Sequence, residues 1–171
     1  MRPSAPVVFL SLVLLTISGC AGYQVGSTTG HRAGEVSAQV VPFHNQTLEP
    51  RLGGALTAAL RKELQRDGTY ALSTTGKGDL IISGEVTQYQ RQEQTLDPAD
   101  LTTARDYKTL LTAHVIVRER ASGRVILDET LTGNTLIRVG NDLVSTERQA
   151  LPLLATDLAR RIVGALADGS W

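Results

Sequence analysis

Cysteine is almost absent from this chain: Cys20 is the only one among 171 residues. That excludes a disulfide within the chain and a zinc site built on several thiolates. Aromatic side chains are scarce too, with one Trp, four Tyr and two Phe, too few for a platform on which nucleic-acid bases stack. Neither sign of charge dominates. Seventeen Lys and Arg balance seventeen Asp and Glu, so no long-range field marks a nucleic-acid partner. The glycines form neither a dinucleotide fingerprint nor a phosphate loop, and no G-x-S-x-G elbow is present. His31, His44 and His114 do not stand at ligand spacing, so no metal site is expected. Asp97, Asp100, Asp106 and Asp128 fall in polar stretches where carboxylates are solvated. A lipid-modifying enzyme would need a nucleophile–base pair, and none is found; an enzyme is not expected. What remains, 42% apolar and 20% charged residues, is ordinary for a folded domain, and the length suits about one.

The first twenty residues read differently. Arg2 precedes the apolar run Val7 to Leu15, which is too short to span a bilayer and is laid out as a cleaved secretory signal. Ile17-Ser18-Gly19-Cys20 resembles a bacterial lipobox, in which the thiol is acylated and the chain is cut just before it. An ordinary signal peptide with an incidental cysteine is the alternative. The lipobox reading predicts a cleaved signal over residues 1–19, lipid attachment at Cys20, a flexible tether over 20–34 and one α+β domain over 35–171. Ala21, rather than Asp, after the cysteine implies sorting to the outer membrane. Each buried CH₂ contributes about 0.8 kcal/mol, so two or three acyl chains anchor stably where one does not.

Ala21 to Gly34 is rich in Gly, Ser and Thr, as tethers are. Val36 to Phe43 alternates like a half-buried strand. Leu48, Leu52, Leu56, Leu60 and Leu64 recur every fourth residue, predicting an amphipathic helix that Thr47 caps and Asp67-Gly68 ends. Thr69 to Thr74 and Leu80 to Gln90 read as strands. Gln92 to Ala104, which contains Asp97-Pro98, is expected to be a loop or a mobile hairpin tip. In Tyr107 to Arg120, Leu111, Ala113, Val115 and Val117 share one face. Ser122-Gly123 turns the chain into a strand over Val125 to Leu136. A last helix, capped by Ser145, carries Leu151, Leu154, Ala155, Leu158, Ile162 and Leu166; Pro152 either kinks it or marks its true first turn. Together these predict a two-layer α+β sandwich, two helices on one face of a mostly antiparallel (mixed) four- to five-stranded sheet.

Arginine outnumbers lysine thirteen to three after the signal. Genomic base composition yields such a bias; so does a need for guanidinium forks that grip phosphate. The strand directions bring the Gln92–Ala104 and Gly133–Leu143 connections to one end of the sheet. Arg105 and Arg138 flank them, with Arg91 and Lys108 near the first. Such a cationic end suits an anionic amphiphile.

Several stretches carry a family resemblance: Cys20-Ala21-Gly22-Tyr23, Val40-Val41-Pro42-Phe43-His44-Asn45-Gln46-Thr47-Leu48-Glu49-Pro50 running into a Leu-rich helix, and Asp79 to Val86. Tyr107 to Thr112, Ser122 to Ile126 and Leu158 to Val163 follow in the same order. Across essentially everything after the signal, the chain resembles the LptE family of lipopolysaccharide-assembly lipoproteins; Pro152 departs from the family's helix pattern. The resemblance implies a non-enzymatic, lipid-anchored protein on the periplasmic face of the outer membrane. It would plug the lumen of the LptD β-barrel one to one, assist that barrel's assembly, and bind lipopolysaccharide. Arg105 and Arg138 stand nearest the family's lipopolysaccharide-contacting basic residues. Val41-Pro42-Phe43 with Asn45 is also similar to small periplasmic lipoproteins that activate synthases or build secretion pores, an alternative interaction role.

Overall fold

The computed structural model describes residues 32–97, 100–138 and 143–169, with side chains for all of these but 95–97, 100–105 and 143–144. The expected signal segment, Cys20 and the expected tether as far as residue 31 lie outside the described residues. Eight elements follow in order: β1 (Ser37–Val40), β2 (His44–Asn45), α1 (Leu52–Asp67), β3 (Ala71–Leu72), β4 (Leu80–Asp97), β5 (Asp100–Glu119), β6 (Val125–Arg138) and α2 (Leu143–Asp168). The strands form one six-stranded sheet in the order β3-β1-β4-β5-β6, with β2 also beside β4. β1 runs parallel to β3 and β4, and β2 parallel to β4, while β4–β5 and β5–β6 are antiparallel. The expected α+β class holds, with one or two strands more than anticipated.

The period-2 alternation sets which sheet face is dry. Ile82 and Val86 on β4, and Leu111, Ala113, Val115 and Val117 on β5, are fully buried. They meet the Leu52, Leu56, Leu60 and Leu64 stripe of α1 and the Leu154, Leu158, Ile162 and Leu166 stripe of α2 in one core. Each such leucine contributes about 1.5–3 kcal/mol by leaving water. Helix and strand meet closely where α2 crosses β6: a Cβ built on Gly133 would stand 2.6 Å from the backbone N of Leu158. Only glycine lets helix and strand approach that closely. Asp157, one residue along, accepts the edge-strand N–H of Asn134 at 2.9 Å, so α2 also shields the exposed edge of the sheet.

Four local expectations change. Leu48 is fully exposed, because α1 begins at Leu52 behind Arg51, a cap with no side-chain hydrogen bond. Thr47 does not cap it; its N–H and hydroxyl donate to Asn45 Oδ1 at 3.1 and 2.8 Å. The hydroxyl oxygen accepts the Glu49 N–H at 3.4 Å, a donor that lies ahead of α1, so no helix amide is capped by it. The strand expected over Thr69 to Thr74 shortens to Ala71–Leu72. Of the two expectations for Gln92 to Ala104, a loop or a hairpin tip, the described residues 92–97 and 100–104 follow the hairpin. The β4–β5 ladder continues to Asp97 opposite Asp100, with register shifts after Glu93; backbone pairing with a long neighbour does not need apolar side chains. Finally, α2 starts before Ser145, so this serine is no cap and Pro152 lies inside the helix, not in its first turn. An interior proline costs about 3 kcal/mol, a loss that the buried Leu151, Leu154 and Leu158 around it offset.

Candidate functional site

The solvent face of the sheet is built from the other phase of the same alternation. β4, β5 and β6 set side chains in rows there: Glu85–His114–Thr130, Gln88–Thr112–Thr132, Gln90–Leu110–Asn134 and Gln92–Lys108–Leu136. The Thr112 and Thr132 hydroxyls bond at 2.9 Å. His114 Nε2 bonds Asp128 Oδ1 at 2.6 Å, and Gln46 Nε2 donates to Glu85 at 2.6 Å. This face is a polar, cross-linked surface of Gln and Thr, wetted rather than covered by a helix.

At its far end the character changes. Lys108 sits directly opposite Leu136, and Asp106 opposite Arg138. Leu136 is 69% exposed. Arg138 Nε donates to Asp106 Oδ1 at 2.9 Å, yet the arginine side chain remains 71% exposed, free to offer its other donors. Among the described residues Lys108 makes no ion pair. An open cleft of about 440 Å³ runs past Gln94, Asp106, Leu136, Ile137 and Arg138. A bare leucine between two cations matches a ligand that is anionic at one point and apolar beside it.

The four expected cations separate accordingly. Lys108 and Arg138 share this patch. Arg91 stands opposite Thr109, on the helix-bearing face, where its Nη1 meets Glu147 Oε2 of α2 at 3.3 Å. Arg105 precedes Asp106 on β5, and its side chain is among those not described. Around Arg91 the structure builds something the sequence did not signal. Tyr89 donates its hydroxyl to Glu147. Burial first, then that carboxylate, push the Tyr89 phenol well above its usual range. Tyr89, Arg91 and Glu147 line a cleft of about 510 Å³ that exposed Leu48 borders. Tyr89 and Glu147 are 58 positions apart, and no spacing rule joins them. Leu136 could have been found, since it falls out of phase with buried Leu127 and Ile137 on the same strand.

No helix among the described residues is long and apolar enough to cross a membrane, and these residues contain no cluster of three or more His, Cys, Asp or Glu able to hold a metal.

Comparison with known proteins gives both a family and a fold. A family model described as LptE, lipopolysaccharide-assembly, matches residues 36–166. No curated protein sequence matches. A protein from Xanthomonas campestris shares the fold at a TM-score of 0.62 and 11% identity, over 84% of this chain and 90% of that one. The PelC dodecamer from Paraburkholderia phytofirmans is similar at 0.55 and 15%, over 85% and 95%. A hypothetical protein from Chlamydia trachomatis is similar at 0.55 and 13%, over 77% and 95%. At these identities the likeness concerns the fold alone.

Proposed function

The chain belongs to the LptE family of lipopolysaccharide-assembly proteins, and from that membership we propose that it plugs and helps assemble an LptD-type β-barrel and binds lipopolysaccharide on its way to the cell surface. In this reading Cys20 carries the lipid that holds it to the periplasmic face of the outer membrane. The observation that carries the ligand half is the far-end patch, in which Lys108 and Arg138 border exposed Leu136. Lipopolysaccharide offers phosphates to the cations and acyl chains to the leucine. The polar Gln and Thr rows support the plug half, because a hydrated barrel lumen is lined by polar side chains. Arg105, on the strand beside Asp106, belongs to the same end and is included as a ligand contact; Arg91, tied to Glu147, serves that end by positioning Tyr89 and α2.

Two experiments test this reading. The tagged full chain should co-purify with a large outer-membrane barrel in detergent; recovery with a peptidoglycan synthase, or as a homo-oligomeric pore, would favour the rival interaction role. Cys20→Ala should abolish palmitate labelling and leave unprocessed precursor, and persistent labelling would refute the anchor.

A further inference from the structure

We propose that the cleft at the carboxyl ends of β1 and β3 binds a phosphate-type oxyanion, either free or as the head of a lipid. β1 and β3 are parallel neighbours joined through α1, and in such β-α-β units ligand sites open beyond the carboxyl ends of the strands. Here that space is a cleft of about 270 Å³ lined by Gln39, Val40, Arg61, Ser73, Thr74 and Gly76, among others. Every polar group among those six that can donate suits an anion, and no carboxylate lines the cleft.

The guanidinium of Arg61 is held in place before any ligand arrives. Arg61 reaches from α1, and its Nη2 donates to the carbonyl of Val40 at 3.1 Å. One prong of the fork is thus fixed to the cleft wall while the remaining N–H groups stay available. Arg61 forms no ion pair among the described residues. The one acid between Leu52 and Arg66, Glu63, is buried and paired with Arg66. Ser73 uses its N–H on the carbonyl of Ala38 at 2.9 Å, which fixes the backbone and leaves its hydroxyl, like that of Thr74, without a hydrogen bond among the described residues.

The turn that follows is braced from behind. Gly76 has φ of 78°, a left-handed conformation that glycine adopts without strain. Arg120 donates to the carbonyls of Gly78 at 2.6 Å and Gly76 at 3.0 Å, and to Gln39 Oε1. Exposed Lys77, on the same turn, adds a further positive charge. A guanidinium tied at one prong, beside two hydroxyls with unused hydrogen-bonding capacity and no acid, makes an oxyanion site in which the charged group needs little further ordering on binding. The site is far along the sheet from Lys108 and Arg138 and does not depend on how that end functions.

Amide NMR spectra of the full chain in nonionic detergent, titrated with inorganic phosphate at constant ionic strength, test the site directly. Saturable shifts are expected at Ser73 through Lys77. Arg61→Gln should weaken binding about tenfold, in line with a charge-assisted hydrogen bond. Ser73→Ala with Thr74→Ala, which leaves the Arg61–Val40 bond in place, should weaken it less and leave the melting temperature unchanged; Arg138→Asp should change nothing. Repeating the titration with a short-chain phosphatidylglycerol, and with the matching phosphatidylcholine as control, separates the sources without relying on membrane attachment, which a lipid on Cys20 would supply by itself. Saturable shifts at Ser73 through Lys77 that need both the phosphatidylglycerol headgroup and Arg61 assign a lipid headgroup, whereas saturation by inorganic phosphate alone assigns a soluble phosphate. Absence of saturable shifts with either ligand would overturn the site, and so would shifts that survive both sets of substitutions.

Discussion

The two ends of the sheet solve different problems. Near β1, β3 and the start of β4, short parallel strands lie under α1, and the apolar stripe Leu52, Leu56, Leu60 and Leu64 is at most 1% exposed. At the far end of β4, β5 and β6, the strands run on past α1, and the outward face carries Lys108, Leu136 and Arg138 without cover. Burial makes the first region rigid and intolerant of change. The second keeps apolar and cationic groups in water, a cost that a fold alone does not require. That contrast supports the uncovered end as the proposed lipopolysaccharide site.

Substitutions distinguish the two ends by the size of their effects. The largest effect belongs to the packed end: Leu56→Ala should destabilise by about 2–5 kcal/mol, read by denaturant unfolding. Leu136→Ala, the same truncation at the far end, should stay within about 0.5 kcal/mol. Equal costs would erase the distinction between the two ends. Next comes Thr57, whose hydroxyl accepts the buried N–H of Phe43 at 3.0 Å and donates to the carbonyl of Gly53 at 2.7 Å. Thr57→Val strands that N–H and should cost about 1–3 kcal/mol; an unchanged midpoint would show that water replaces the hydroxyl.

A smaller effect concerns pH. Burial alone would raise the Asp157 carboxyl, but the Asn134 N–H and the Arg161 guanidinium outweigh it and leave the group below its ordinary value. A depressed carboxyl stabilises the fold above its unfolded value of about 3.9, and that contribution is lost as pH falls through the folded value. Asp157→Asn should therefore flatten the acid limb of the stability curve below about pH 4. An unaltered limb would mean that the α2–β6 contact does not depend on this charge.

Much of the packed end was legible because burial imposes a period. The every-fourth leucines of α1, the alternate apolar residues of β5 and the stripe of α2 all follow from which side faces oil. Legibility failed where backbone or distant partners decide. Leu48 continues the leucine period but lies before the helix, where Thr47 bonds Asn45 and Glu49 rather than a helix amide. Gln92 to Ala104 looks too polar for a strand, yet pairing satisfies its backbone. Pro152 sits within a helix because its apolar neighbours outweigh it. At the candidate site, strand direction correctly brought Arg138 and Lys108 to one end. It could not separate Arg91, since the bulge after Val86 resets which β4 residues face α2, and it could not join Tyr89 to Glu147 across the fold.

Lipopolysaccharide binding at the uncovered end, the proposed role of Lys108 and Arg138, reduces to one comparison. Lipopolysaccharide binding should be measured for the full chain and for the Lys108→Glu, Arg138→Asp double variant, with unfolding followed on the same samples. At least about a tenfold loss of affinity, one lost charge-assisted contact or more, is expected at an unchanged unfolding midpoint. Undiminished binding by a folded double variant would contradict it.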